Sequence, residues 1–332
     1  MVSLPSSSKS PASASGIVLA RETQIFSMDA VGKARATAAK RDPSSKVVGY
    51  YEDLLDSGST RFCSRPSQAG CLDSLVEDCP NFAEVIADLR RMASMTLRGN
   101  SGLKVMPLLL LGDPGVGKTR FGKRLAQVLG NPFEFTSMNT QTAGFLLTGG
   151  SASWKDSKPG VVSEALVRGS DANPLMLVDE LDKASGDRQS DPMACLYQLL
   201  EPETATHFKD EFGGVEFDAS NIVWVFTAND AQCIPEPLLS RMAVYSIPKP
   251  TTSQACDIAQ RMYSGIRAEL GVDYFDAILI EAVAAKLSGV SPRLVRRSLI
   301  EAMGKAEEAG RCHITEADLT PKGDGKRSIG FH

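Results

Sequence analysis

PLLLLGDPGVGKT, residues 107–119, joins a nearly continuous apolar run to a glycine-rich loop. Within it GDPGVGKT, residues 112–119, satisfies G-x-x-x-x-G-K-[ST] at every fixed position. The context is also the required one, because the loop directly follows a strand-like run and opens the helical stretch TRFGKRLAQVLG. Gly112, Gly115 and Gly117 let the backbone curl until its N–H groups face phosphate oxygens, at a helix N-terminus that already favours anions. Asp113, Pro114, Val116 and Arg120 complete the predicted phosphate-binding segment. Lys118 is expected to reach the β- and γ-phosphates of ATP, and Thr119 to hold Mg²⁺ through its hydroxyl. A plain glycine-rich turn is the competing reading; motif and context together favour a nucleotide.

A bound triphosphate needs further groups before it reacts. LMLVDE, residues 175–180, is another apolar run ending in acids. Asp179 at its end is placed to orient the Mg²⁺ shell, and Glu180 to polarise an attacking water. In NIVWVFTAND, residues 221–230, Asn229 follows a third such run. Two readings stand for it: holding the attacking water, or capping a helix. Arg241, in PEPLLSRMAVYSI, lies alone between apolar residues. It reads either as a surface arginine or as a charge that reaches a neighbour's γ-phosphate.

Composition narrows the function classes. Of 332 residues 42% are apolar, enough to fill real cores, and the net charge is −4. Residues 1–49 carry a net charge of +4, which leaves the remainder at −8. An acidic body weakens any reading as a general nucleic-acid binder. The seven cysteines lack the close pairs of a zinc site and read as reduced thiols of a cytoplasmic protein. The apolar runs, LLLL at 108–111 among them, are strand-sized, so no membrane span is expected.

Along the chain, residues 1–16 read as a disordered tail, 17–74 as an N-terminal arm or linker and 321–332 as a second tail. MDAVGKARATAAK suits a short helix, and GSTRFCSRPSQAG suits loop and linker. Residues 75–250 alternate strand-like and helical stretches. Continuous apolar runs ending in polar residues are the pattern of a parallel sheet buried on both faces, with chemistry at the carboxyl ends of its strands. Residues 251–320 then read as a small helical domain built from CDIAQRMYSGIRAEL, FDAILIEAVAAKL and PRLVRRSLIEAMGKAEEAG.

GDPGVGKT, LMLVDELDK, DPMACLYQLLEPETATHF, VFTAND and IPEPLLSRM, in that order, resemble the ATPase module of Lon-type AAA+ proteins. The resemblance covers about residues 75–320. It implies an α/β P-loop NTPase domain followed by a helical lid, and a ring, expected to be a hexamer, with nucleotide between protomers. By the same resemblance Asn229 falls on the first sensor, Arg241 on the arginine finger and Arg293 on the second sensor, with Arg296 and Arg297 close enough to compete.

The resemblance also accounts for a tryptophan in polar surroundings. In this family the loop after the second strand carries an aromatic into the central pore. TGGSASWKDSKPGVV takes that place, with Trp154 in the aromatic position and Lys155 beside it. A ring folded back onto the domain surface is the alternative. Asp113 stands where a proline is common, and no Ser–Lys peptidase segment follows residue 320, so a motor without peptidase activity is expected. The expected activity is Mg²⁺-ATP-driven remodelling of a protein client, with no membrane partner. Its rivals are a nucleic-acid motor or loader, and an assembly protein switched by ATP.

Overall fold

The computed structural model describes residues 17–97, 102–139, 143–154, 156–184 and 193–319; the tails expected at 1–16 and 321–332 lie outside the described residues. The chain forms two compact units. Among the described residues, the first draws on 17–75, 84–111 and 119–246, the second on 76–83, 112–118 and 247–319.

In chain order the strands are β1 (Ile17–Gln24), β2 (Thr60–Pro66), β3 (Leu108–Leu111), β4 (Phe133–Ser137), β5 (Leu175–Asp179), β6 (Phe208–Lys209), β7 (Glu216–Phe217), β8 (Val223–Ala228) and β9 (Ala243–Ser246). A five-stranded parallel sheet in the order β4-β5-β8-β3-β9 is the frame of the first unit. Its three inner strands are the three apolar runs of the sequence. β8 is buried at every position and β5 at all but Asp179, as strands covered on both faces must be. Trp224 stacks on Phe226 within β8, ring centres 5.7 Å apart. The two edge strands, β4 and β9, are half-exposed and therefore mix polar with apolar residues.

Residues before the sheet share its core. Ser27 caps the helix Met28–Arg41, accepting from the Ala30 N–H at 3.2 Å, and a second helix spans Lys46–Ser57. Ile25, Phe26, Val31, Tyr51 and Leu54 belong to the same buried cluster as Met176, Val178 and Phe226. The loop reading of GSTRFCSRPSQAG is corrected here, because Thr60–Pro66 is β2, paired antiparallel with β1. The strand escapes an apolar pattern because two of its inward residues, Arg61 and Ser64, are polar. Arg61 is buried, and its guanidinium donates to the carbonyls of Leu166 (3.0 Å), Val167 (2.8 Å), Gly58 (3.0 Å) and Thr60 (2.8 Å). It thereby serves the exposed carbonyl ends of the helices Lys46–Ser57 and Val161–Arg168.

The second unit contains the helical lid, with helices Thr252–Leu270, Glu281–Leu287 and Pro292–Glu308. Thr251 and Gln254 form a capping box that starts the first helix earlier than its apolar pattern shows. FDAILI, expected within the second helix, is non-helical, yet Phe275 and Leu279 still enter the lid core beside Tyr263, Leu299 and Met303. Burial of these two side chains produced the apolar spacing without a helix beneath it.

Candidate nucleotide site

The glycine-rich loop packs within the second unit. Gly112, Gly115 and Gly117 all have positive φ, at 156°, 87° and 104°. Two of them also face close neighbours. A Cβ on Gly112 would lie 2.7 Å from the Ile247 carbonyl oxygen, and one on Gly115 would lie 3.0 Å from Cβ of Ser291. A side chain at either position would push the loop off the unit that shapes it. Asn81, which the sequence reading missed, is buried and clamps the loop, its Nδ2 donating to the carbonyls of Val116 and Pro248, each at 3.1 Å. Val116 is buried, while Pro114 and Arg120 are exposed. Lys118 is buried over the loop, its Nζ donating to the Gly112 carbonyl and, at 3.3 Å, to that of Asp113. Asp113 pairs with Lys249 at 2.8 Å, and that ammonium holds its carboxyl below the usual carboxylate range.

One peptide bond beyond Lys118, Thr119 belongs to the first unit, as do the acids. The Thr119 hydroxyl lies 3.3 and 3.4 Å from the two carboxylate oxygens of Asp179 at the end of β5. Thr227 of the neighbouring β8 donates its hydroxyl to Asp179 and accepts the Glu180 N–H at 3.1 Å. This doubly engaged side chain is 1% exposed. Glu180 is the only non-glycine residue with positive φ, 58°, among the described residues. Such a backbone costs on the order of 1–3 kcal/mol and persists only where its surroundings enforce it. Here the Thr227 hydroxyl supplies part of the constraint. Asn139, just past β4, donates its Nδ2 to Glu180 Oε2 at 2.9 Å. Asn229 follows β8, exposed at the same carboxyl edge of the sheet.

A hydroxyl facing one carboxylate is a hard, all-oxygen donor pair, and it fits Mg²⁺. That ion usually keeps several waters and takes one or two protein ligands plus phosphate oxygens. Among the described residues no group of three or more His, Cys, Asp or Glu side chains makes an all-protein metal cage.

Two of the three predicted arginine positions in the lid are engaged elsewhere. Arg296 pairs with Glu269 at 2.8 Å and Arg297 with Glu301 at 2.8 Å. Arg293 is exposed in the first turn of Pro292–Glu308, two residues from the Ser291 that abuts Gly115. It has no hydrogen-bond or ion-pair partner among the described residues. Arg241, in the first unit, pairs with Glu201 at 2.7 Å.

The aromatic loop is built around a pinched neck. Gly150 N–H donates to the Lys158 carbonyl at 3.2 Å, and a Cβ on Gly160 would lie 2.2 Å from the Leu147 carbonyl oxygen. Asp210, fully buried, accepts from the Gly160 N–H at 2.8 Å and the Ser163 hydroxyl at 2.6 Å, fixing the base of the loop. Trp154 is 53% exposed; its ring packs edge-to-face on Phe145 at 5.1 Å and lies over the neck glycine Gly150, where an added Cβ would meet its Cε3 at 3.5 Å. Lys155 lies outside the described residues.

Residues 108–247 match the family described as "ATPase family associated with various cellular activities (AAA)". The chain is 36% identical over 173 residues to the Lon protease of Halothermothrix orenii, covering 52% of this chain and 22% of that protein. It is 35% identical over 192 residues to the mitochondrial Lon protease homologue of Aspergillus niger, covering 58% of this chain and 17% of that protein. The matched stretch is thus about a fifth of the length of these relatives. A closed-state cryo-EM reconstruction of Hsp104 with ATPγS and FITC-casein shares the fold, with a TM-score of 0.58 at 14% identity, covering 74% of this chain and 49% of that one. No helix among the described residues is long and apolar enough to cross a membrane.

Proposed function

We propose that residues 108–247, which match the AAA family and resemble Lon proteases, form an ATPase domain, that the chain assembles into a ring, expected to be a hexamer, and that it uses Mg²⁺-ATP turnover to unfold or remodel a protein drawn through its central pore. The observation that carries the protein-client reading is Trp154, a half-exposed indole on a loop whose base is fixed by a buried carboxylate. A bulky, partly wet ring grips any polypeptide side chain without reading its sequence.

In this reading the backbone of residues 112–118 cradles the triphosphate and Lys118 neutralises its terminal phosphates. Thr119 and Asp179 hold Mg²⁺, which when bound offsets the charge that develops on the transferring phosphoryl group. Thr227 keeps the Asp179 carboxylate turned toward Thr119. Glu180 accepts the attacking water's proton at Oε1, the oxygen that Asn139 leaves uncommitted. Asn229 orients that water, Arg241 reaches the γ-phosphate held by a neighbouring protomer, and Arg293 contacts the nucleotide from the lid.

The nucleic-acid reading draws on the basic stretch before residue 50, but two of its charges are already matched there. Lys33 pairs with Asp29 at 2.6 Å and Arg35 with Glu52 at 2.5 Å. The test compares Trp154→Ala with the unchanged protein on a fluorescent, permanently unfolded protein. Retained basal ATP turnover with lost substrate processing is expected. Loss of both together shows a structural role for the indole, and steeply salt-dependent binding of single-stranded DNA instead of protein supports the nucleic-acid motor.

A further inference from the structure

Two of the three guanidinium nitrogens of Arg241 are held. Its Nε donates to Glu201 Oε2 at 2.7 Å and its Nη1 to the Pro237 carbonyl at 2.6 Å. The guanidinium carbon lies 6.0 Å from the centre of the Tyr197 ring. Nη2 has no hydrogen-bond or ion-pair partner among the described residues. The three contacts come from three places in the chain: Tyr197 from the helix Ala194–Leu199, Glu201 from the turn before Pro202–Ala205, and Pro237 from the helix Glu236–Leu239.

We propose that Glu201 is a positioning residue for Arg241, fixing the guanidinium at Nε so that Nη2 is left to a neighbouring protomer's γ-phosphate. This rests on the reading of Arg241 as a charge that acts in trans. A free arginine side chain carries about 2 kcal/mol of rotamer entropy, and a finger that reaches across an interface must surrender it at the moment of reaction. Ordering the side chain beforehand removes that cost from the barrier. The single-bond grip is what separates positioning from sequestration. A carboxylate that locked the finger away would engage two nitrogens bidentately, the usual strong geometry for this pair. Here it takes Nε alone and leaves Nη2 open. Tyr197 adds a cation–π contact at the outer limit of its range.

The test uses the full chain and four proteins: unchanged, Glu201→Ala, Arg241→Ala and the double variant, with Glu201→Gln as a milder control that keeps an acceptor. Steady-state ATP turnover is measured alongside the affinity for a fluorescent ATP analogue. Arg241→Ala is expected to lower kcat by about 10³-fold, the usual scale for a finger. Glu201→Ala is expected to lower kcat by roughly tenfold with analogue affinity within about twofold, and Glu201→Gln to lose less. In the Arg241→Ala background the Glu201 substitution should have no further effect, since positioning is void without the positioned group. A full-sized Glu201→Ala loss in that background, or a Glu201→Ala kcat equal to or above that of the unchanged protein, overturns the inference. Wild-type turnover by Arg241→Ala overturns the trans-acting reading itself, and the inference with it.

Discussion

Asn139 Nδ2 donates to Glu180 Oε2 at 2.9 Å, so the residue after an edge strand steers the carboxylate after a central one. With its N–H bonded to Thr227 and its backbone at a positive φ, Glu180 is constrained at both ends. Asn139→Ala removes the side-chain constraint alone. We expect kcat to fall about tenfold with nucleotide affinity within about twofold, measured by turnover and by equilibrium binding of a fluorescent ATP analogue. An affinity loss as large as the kcat loss would assign Asn139 to binding.

Thr227→Val preserves shape and deletes the hydroxyl that joins Asp179 to the Glu180 backbone. The site is 1% exposed, so the abandoned partners stay dry. A loss of about 1–3 kcal/mol in urea unfolding is expected, together with a higher Mg²⁺ concentration for half-maximal turnover. Unchanged stability and unchanged Mg²⁺ titration would remove Thr227 from the site.

How much of this was legible in the sequence follows from burial. β3, β5 and β8 are covered on both faces, and apolar runs announced them and the polar residues at their ends. β4 and β9 are edges, and their half-exposed residues give no such run. Asn81, Asn139 and Thr227 were invisible for a related reason. Each acts through one hydrogen-bonding side chain brought near its target by folding, with no local spacing to mark it. Thr227 left the faintest signal, a hydroxyl inside an otherwise apolar stretch. β2 was hidden by Arg61, whose inward charge is matched by carbonyls and, among the described residues, by no acid.

Arg61 makes a separate stability prediction. Burial pushes its guanidinium pKa down from the ordinary arginine value, and carbonyl acceptors on two helix ends keep it charged. Arg61→Ala leaves several carbonyls unsatisfied at once. A loss of about 3 kcal/mol or more is expected, read as a lower urea midpoint at unchanged slope. A shift under about 0.5 kcal/mol would show that water replaces the guanidinium there.

Asp318 predicts an acid response of the lid. Its carboxyl is held far below the usual range, first by hydrogen bonds from Arg311 at 2.6 and 2.8 Å and then by Thr315. A folded-state value depressed below the unfolded one gives stability that is complete above about pH 4 and is lost as pH falls through the folded value. Asp318→Asn should therefore be less stable than the unchanged protein at pH 7 by about 1.5–3 kcal/mol, with the gap narrowing below about pH 4. A gap that is constant with pH would mean the charge contributes nothing.

The central claim is that Glu180 drives hydrolysis of a nucleotide held by residues 112–119. The direct measurement is Glu180→Gln, with ATP binding and single-turnover phosphate release followed in the same preparation at saturating Mg²⁺. Binding within about twofold of the unchanged protein, with phosphate release slowed by at least about 10²-fold, is the predicted result. Phosphate release at the unchanged rate, with ATP bound as before, would contradict it.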